Sequence, residues 1–101
     1  MTRNRMRPIH PGEILREEYL TPLGISASAL AIQLRVPAPR INDVVRERRS
    51  ISPDTALRLA RYFGTTAQFW LNLQSSFDLR KAEREIGDKV KQEVRPMPQA
   101  A

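Results

Sequence analysis

The sequence predicts an all-α domain of five helices. No stretch of the 101 residues alternates polar and apolar positions with a period of two, and no Asn-Gly or Asp-Gly hairpin turn occurs. Apolar residues recur instead at helical spacing. Capping residues, prolines and glycines divide these periodic stretches into five segments. A chain of this length is expected to form one domain.

The first predicted helix follows His10 and Pro11, because proline is favoured in the first turn of a helix. Pro22 and Gly24 are expected to end it, since neither residue continues a helix well. Its apolar face is expected to comprise Ile14, Leu15 and Tyr19.

The second and third helices, residues 26–45, are the most informative part of the chain. Ser26 is a good cap for the second helix. Pro37 or Pro39 can begin the third, because the amide donor that proline lacks is unpaired there. The apolar positions are Leu30, Ala31, Leu34, Val36, Ile41, Val44 and Val45. A small residue at position 31 allows a steep crossing over one seam, which is typical of a helix-turn-helix. The second helix of that motif enters the DNA major groove.

The fourth helix is predicted to begin after Ser52, with Pro53 at its first position and Asp54 near the positive end of the helix dipole. Gly64 is placed to end it. Its apolar face is expected to comprise Ala56, Leu57, Leu59, Ala60 and Phe63.

The fifth helix is predicted from the capping-box spacing of Thr65 and Gln68. Its apolar positions are Phe69, Trp70, Leu73 and Phe77. The predicted organisation is a basic N-terminal arm (1–10), a helix-turn-helix domain with a dimerising last helix (11–80), and a charged extension with a disordered tail (81–101). Gly87 interrupts the extension, which is expected to be a marginal helix ordered by a partner.

Charge and composition indicate the kind of partner. The chain has no cysteine, a net charge of +6 and a sequence pI near 10.8, which favours a polyanion such as nucleic acid. General solubility is the alternative explanation. Arginines concentrate in the arm (Arg3, Arg5, Arg7) and in residues 37–51, whereas residues 11–23 are acidic. Without a membrane-length apolar run or an apolar signal region, a cytoplasmic location is expected.

Five residues at the start of the third helix are predicted to contact bases: Ala38, Pro39, Arg40, Asn42 and Asp43. Arginine can form two hydrogen bonds to guanine, asparagine two to adenine, and an aspartate can accept one from cytosine. Alanine or proline can contact the thymine methyl group. Two alternatives stay open: Arg40 and Asn42 are solvated surface residues, or Asp43 pairs with Arg46 instead of a base.

Phosphate contacts are expected beside the base contacts. The candidates are Ser26, Ser28, Arg46, Arg48 and Arg49. The two serines lie at the start of the second helix, where backbone amides also favour anions. For Ser26, capping the helix is an alternative role that is compatible with phosphate binding.

Enzymatic chemistry is not expected. The single histidine, His10, lies beside a proline and is expected to be a cap or a surface residue. Glu13, Glu17 and Glu18 form an acidic helix face that is either solvated or a docking surface for a basic partner. No further cluster completes a metal site, and no phosphate-binding loop or nucleophile elbow occurs. We therefore predict no cofactor, no metal and no catalytic residue.

The sequence resembles the HigA-type antitoxins of bacterial toxin–antitoxin pairs, within the lambda-repressor-like (Xre) regulators. The resemblance extends over residues 7–80. Its motifs are His10-Pro11-Gly12-Glu13-Ile14-Leu15, Pro22-Leu23-Gly24, Arg40-Ile41-Asn42, Asp54-Thr55-Ala56-Leu57-Arg58-Leu59, Phe63-Gly64, Phe69-Trp70-Leu71-Asn72-Leu73-Gln74 and Phe77-Asp78-Leu79. The penultimate block is the most specific, because Asn72 and Gln74 are not expected to be required by core packing. Two departures concern turns: relatives usually carry Asn-Gly at Arg46-Glu47, and many helix-turn-helix proteins have glycine at Arg35.

The resemblance implies a five-helix fold, a homodimer and binding to a palindromic operator of the protein's own operon. It implies a dimer surface around Trp70, Leu73 and Phe77. It also implies neutralisation of a toxin of the RelE/HigB type, an mRNA endonuclease, with the acidic first helix (Glu13, Glu17, Glu18) as the candidate contact. The alternatives are a stand-alone Xre-type repressor without a toxin, and an interaction module that no longer binds DNA.

Overall fold

The computed structural model describes residues 7–98, which form five helices and contain no strand. Helix α1 is continuous from Pro11–Ile14 through a π-helical Leu15–Leu20 to Thr21–Leu23. The other four are α2 (Ala27–Leu34), α3 (Ala38–Val45), α4 (Pro53–Phe63) and α5 (Ala67–Glu93). The predicted all-α five-helix fold is confirmed.

In four of the helices, a side chain caps the first turn by accepting a hydrogen bond from a backbone amide. The ring Nδ1 of His10 accepts from the Gly12 amide at 2.8 Å, and Ser26 and Ser52 cap α2 and α4. Thr66 caps helix α5: its hydroxyl accepts from the Phe69 amide at 3.0 Å. The expected cap at Thr65 was therefore wrong by one residue.

Left-handed glycines end two helices. Gly24 (φ 66°) ends α1 and Gly64 (φ 76°) ends α4, as expected. Pro22 does not end α1, because the helix continues past it to Leu23 and ends at Gly24; the π-helical turn Leu15–Leu20 directly precedes this last segment.

The core lies where α1 to α4 meet the first turns of α5. Its fully or nearly fully buried apolar residues are Leu15, Leu20, Leu30, Ala31, Leu34, Ile41, Val44, Ile51, Ala56, Leu59 and Trp70. The expected seam of the helix-turn-helix, including Ala31, Ile41 and Val44, is thus present.

Helix α5 is long and leaves the core early. Its buried residues are Trp70 and Gln74, and beyond Asp78 almost every side chain is exposed. The helix continues through Gly87 to Glu93 without a break, so the expected interruption at that glycine is absent. Of the predicted basic arm, Arg3 and Arg5 lie outside the described residues, as do residues 99–101 of the predicted tail.

Candidate nucleic-acid interface

The α2–turn–α3 unit is held together by its apolar seam and by one left-handed residue. Arg35 ends α2 with φ 62° and ψ 44°, the conformation for which glycine is usually chosen. The Val36 amide then donates to the Ala31 carbonyl at 3.1 Å. The tight turn therefore forms without the glycine, at the cost of backbone strain at Arg35.

One side of α3 is buried and the other carries the predicted base contacts. Ile41 and Val44 are fully buried. Pro39 is exposed, whereas Arg40, Asn42 and Asp43 are half-buried by their neighbours on the surface. Ala38 is half-buried as well, but it differs from these three because it packs against the core cluster.

Arg40 is engaged in an ion network that sequence reasoning did not foresee. Its Nη1 donates to Asp54 Oδ1 at 2.7 Å, and the same oxygen accepts from Arg58 Nε at 2.7 Å. Arg58 Nη1 also donates to the Leu34 carbonyl at the end of α2, at 2.9 Å. The network therefore joins α2, α3 and α4 around a predicted base contact. Asp54 had been expected only to interact with the helix dipole.

Asn42 and Asp43 are also held by neighbours. The Asn42 amide nitrogen donates to Ser28 Oγ at 3.1 Å and to the Ala38 carbonyl at 3.0 Å. This brings a predicted base contact and a predicted phosphate contact together. Asp43 pairs with Arg49 at 3.5 Å, whereas the sequence suggested Arg46 as its partner.

The loop after α3 presents the predicted phosphate contacts. Arg46, Arg48 and Arg49 are exposed, and the first two make no ion pair within residues 7–98. Glu47 lies among them with φ 63°, at the position where relatives usually carry glycine. Ser26 is exposed, and its hydroxyl accepts from the Ala29 amide at 3.0 Å, so its capping role is present.

Helix α1 fixes the carboxyl end of α3. A Cβ atom on Gly12 would lie 1.8 Å from the Val44 carbonyl oxygen, so only glycine fits this contact. One helical turn later, Arg16 donates to the Val45 carbonyl and contacts Glu47 Oε2 at 3.3 Å. The contacts of Gly12 and Arg16 with α3 were not predicted from the sequence, because they depend on an element about 30 residues away along the chain.

The candidate acidic surface on α1 is partly neutralised. Glu13 accepts two hydrogen bonds from Arg7, at 2.8 and 3.0 Å, and these lower the pKa of its carboxyl group. Glu17 pairs with Arg16 at 3.0 Å. Glu17 and Glu18 are exposed, whereas Glu13 is half-buried.

The candidate dimer surface requires one correction. Trp70 is 0% exposed, and its indole Nε1 donates to Thr65 Oγ1 at 2.8 Å. A side chain that is fully buried in its own protomer cannot form the surface of a dimer, so this part of the prediction was wrong. Leu73 and Phe77 are half-buried, and Phe77 packs edge-on against His10 with ring centroids 4.8 Å apart.

Among residues 7–98, no three His, Cys, Asp or Glu side chains gather in a way that could hold a metal ion. In the same part of the chain, no helix is both long and apolar enough to cross a membrane.

Five helices that expose one face of α3 beside a basic loop define a helix-turn-helix protein of the lambda-repressor type. The helix-turn-helix family matches residues 15–70. Virulence-associated protein I of Dichelobacter nodosus is 61% identical over 83 residues, which cover 82% of this chain and 77% of that protein.

Two solved structures extend the comparison. Antitoxin HigA of Pseudomonas aeruginosa, solved with the higBA promoter, is 54% identical with a TM-score of 0.89, covering 91% of this chain and 100% of that one. Antitoxin GraA, solved in complex with its operator, is 52% identical with a TM-score of 0.88, covering 93% and 95% of the two chains. The chain therefore belongs to the Xre-like helix-turn-helix family, in its branch of HigA-type antitoxins.

Proposed function

We propose that this protein binds the operator of its own operon through α3 and represses transcription. The observation that carries the proposal is the placement of Arg40, Asn42 and Asp43 on the outer side of a helix whose inner side is buried. The exposed Arg46 and Arg48 in the following loop are suited to phosphate. The structures of HigA with the higBA promoter and of GraA with its operator add support, since both proteins share this fold.

The base-reading role is tested by Arg40→Ala. Loss of a bidentate contact is worth about 1–3 kcal/mol, so affinity for the cognate operator should fall about 5- to 150-fold. Affinity for scrambled DNA of equal length should fall much less. Arg84→Ala is the charge-matched control, because Arg84 is an exposed arginine on α5 outside the helix-turn-helix. Gel shifts at one fixed salt concentration measure both affinities, and equal losses on both duplexes would remove the base-reading role.

We also propose that the protein acts as a homodimer on a palindromic operator. Two copies of α3 then enter major grooves about 34–36 Å apart, or a multiple of this spacing. The half-buried Leu73 and Phe77 remain candidates for the dimer surface. Light scattering of the free protein and of its operator complex measures the stoichiometry, and a single protomer per palindrome contradicts the proposal.

Finally, we propose that the protein neutralises a RelE/HigB-type toxin, with the exposed Glu17 and Glu18 on α1 as part of the contact. The Glu17→Lys/Glu18→Lys variant should no longer co-purify with the product of the adjacent gene but should still bind the operator. Glu83→Lys/Asp88→Lys is the control, since both residues are exposed acids on α5. If no toxin co-purifies with the unmodified protein, the stand-alone repressor becomes the better explanation.

A further inference from the structure

Arg40 is restrained by an acidic side chain of its own protein. Asp54 Oδ1 lies 2.7 Å from Arg40 Nη1 and 2.7 Å from Arg58 Nε. Arg58 is itself tied to the Leu34 carbonyl at 2.9 Å. The carboxylate is therefore held from α2 and α4, and it in turn holds a side chain of α3.

The restraint leaves Arg40 able to read a base. A guanidinium group has five N–H donors, and the bond to Asp54 requires only one of them. Four donors remain for the two acceptors that guanine presents in the major groove. Because a flexible arginine loses rotamer freedom when it binds, a guanidinium that is already oriented pays less of this cost. The arrangement therefore favours the contact of Arg40 with a guanine in the major groove over its contacts with other groups of the DNA.

The charge of Asp54 also favours specific binding over non-specific binding. The hydrogen bonds and charges of Arg58 and Arg40 lower the pKa of its carboxyl group, so the group is ionised at neutral pH. Its side chain is 55% exposed, beside the helix that is proposed to enter the groove. A carboxylate in this place occupies the Arg40 cation, which would otherwise bind the phosphates of any DNA. Non-specific affinity is thereby reduced.

We infer that Asp54 is a specificity-determining residue, which positions Arg40 for its base and lowers affinity for non-cognate DNA. The inference rests on the proposed reading of a base by Arg40. It assigns to Asp54 a positioning role: the carboxylate acts through Arg40 and does not itself contact a base.

The test is a double-mutant cycle between Asp54→Asn and Arg40→Ala. The measured quantity is the ratio of affinities for the cognate operator and for a scrambled duplex, at one salt concentration. In the unmodified background, Asp54→Asn should lower this ratio at least about fivefold, which corresponds to the lower limit for one bidentate contact. It should do so partly by raising the affinity for scrambled DNA. In the Arg40→Ala background, Asp54→Asn should leave the ratio unchanged.

Two further variants separate positioning from general effects. Asp88→Asn removes one exposed carboxylate from α5, far along the chain from α3, and should leave the ratio unchanged. Arg58→Gln removes the group that holds Asp54 and should lower the ratio in the same direction, even if Asp54→Asn folds poorly. Thermal unfolding of each variant reports its folding independently of DNA.

The outcomes distinguish this inference from the proposed function. An unchanged ratio in Asp54→Asn, or an equal change in both Arg40 backgrounds, overturns the inference while operator binding stands. If the single variant Arg40→Ala has the same ratio of cognate to scrambled affinity as the unmodified protein, both the base-reading role and the inference are overturned. Absence of operator binding by the unmodified protein overturns the proposed function itself.

Discussion

Gln74 illustrates how a single residue can be misread from sequence. Its place in a specific motif, on a helix that carries a tryptophan, suggested a role outside the core. In the folded protein it is 6% exposed, and its Oε1 accepts from the Ile51 amide at 2.7 Å. Its Nε2 donates to Asp78 at 3.0 Å. The residue therefore satisfies a buried backbone donor in the loop between α3 and α4.

We predict that Gln74→Leu destabilises the protein by about 1–3 kcal/mol, because the Ile51 N–H would lose its acceptor while remaining buried. Asn72→Leu is the matched control, since Asn72 is exposed two residues earlier on the same helix. It should change the free energy of unfolding by no more than about 0.5 kcal/mol. Urea denaturation measures both values, and equal effects would contradict the structural role of Gln74.

At the scale of elements, the position of α3 depends on α1. Gly12 lies directly against the Val44 carbonyl, and Arg16 donates to the carbonyl of Val45. The end of the proposed reading helix is thus fixed by a helix that contributes no predicted base contact. The last helix behaves differently, since most of its length has no partner within residues 7–98.

We predict opposite effects for two glycine substitutions. Gly12→Ala should cost about 3 kcal/mol, because a methyl group would overlap the Val44 carbonyl and overpacking forces backbone shifts. Gly87→Ala should stabilise the protein by about 0.5–1 kcal/mol, because this glycine lies inside a helix with no atom near the site of a new Cβ.

Chemical denaturation of both variants provides the measurement. If Gly12→Ala were as stable as the unmodified protein, the close contact between α1 and α3 would not exist. A loss of stability in Gly87→Ala would indicate that the extension is not an ordinary helix.

At the scale of the whole molecule, His10 connects the start of the domain to its long helix. The residue is 3% exposed, caps α1 through Nδ1 and packs against Phe77 of α5. Burial disfavours the charged imidazolium, so desolvation lowers the pKa of His10 below its ordinary value of 6.5. Protonation at Nδ1 would also remove the acceptor that caps the helix.

We predict that stability falls as the pH is lowered below about 6.5. Between the lowered pKa of the folded state and that of the unfolded chain, the unfolded chain binds more protons. The contribution of His10 to stability is therefore fully present above the pKa of the unfolded chain. It decreases as the pH falls towards the pKa of the folded state, by at most about 1.4 kcal/mol per pH unit.

The variant His10→Asn tests this prediction, because asparagine caps a helix without titrating. Its free energy of unfolding should be lower overall, since the contact with Phe77 is lost, but nearly constant between about pH 5 and 7. A pH dependence equal to that of the unmodified protein would exclude His10 as its source.

Much of the fold was predictable because it depends on local chemistry. Ser26 and Ser52 cap their helices, Gly24 and Gly64 end theirs, and Ile41 and Val44 are buried, as periodicity and capping preferences indicated. The resemblance to HigA-type antitoxins, based on short motifs, is confirmed by the comparisons.

The sequence alone therefore determined the five helices, the seam of the helix-turn-helix and the family. Only the tertiary structure decided which polar residues support the proposed site: Asp54 and Arg58 around Arg40, Gly12 against Val44, and Gln74 beneath the loop at Ile51. It also placed Trp70 inside the core of its own protomer. The physical reason is that helix periodicity and caps are set within one or two turns of chain. Ion pairs, close backbone contacts and burial arise between segments that only folding brings together.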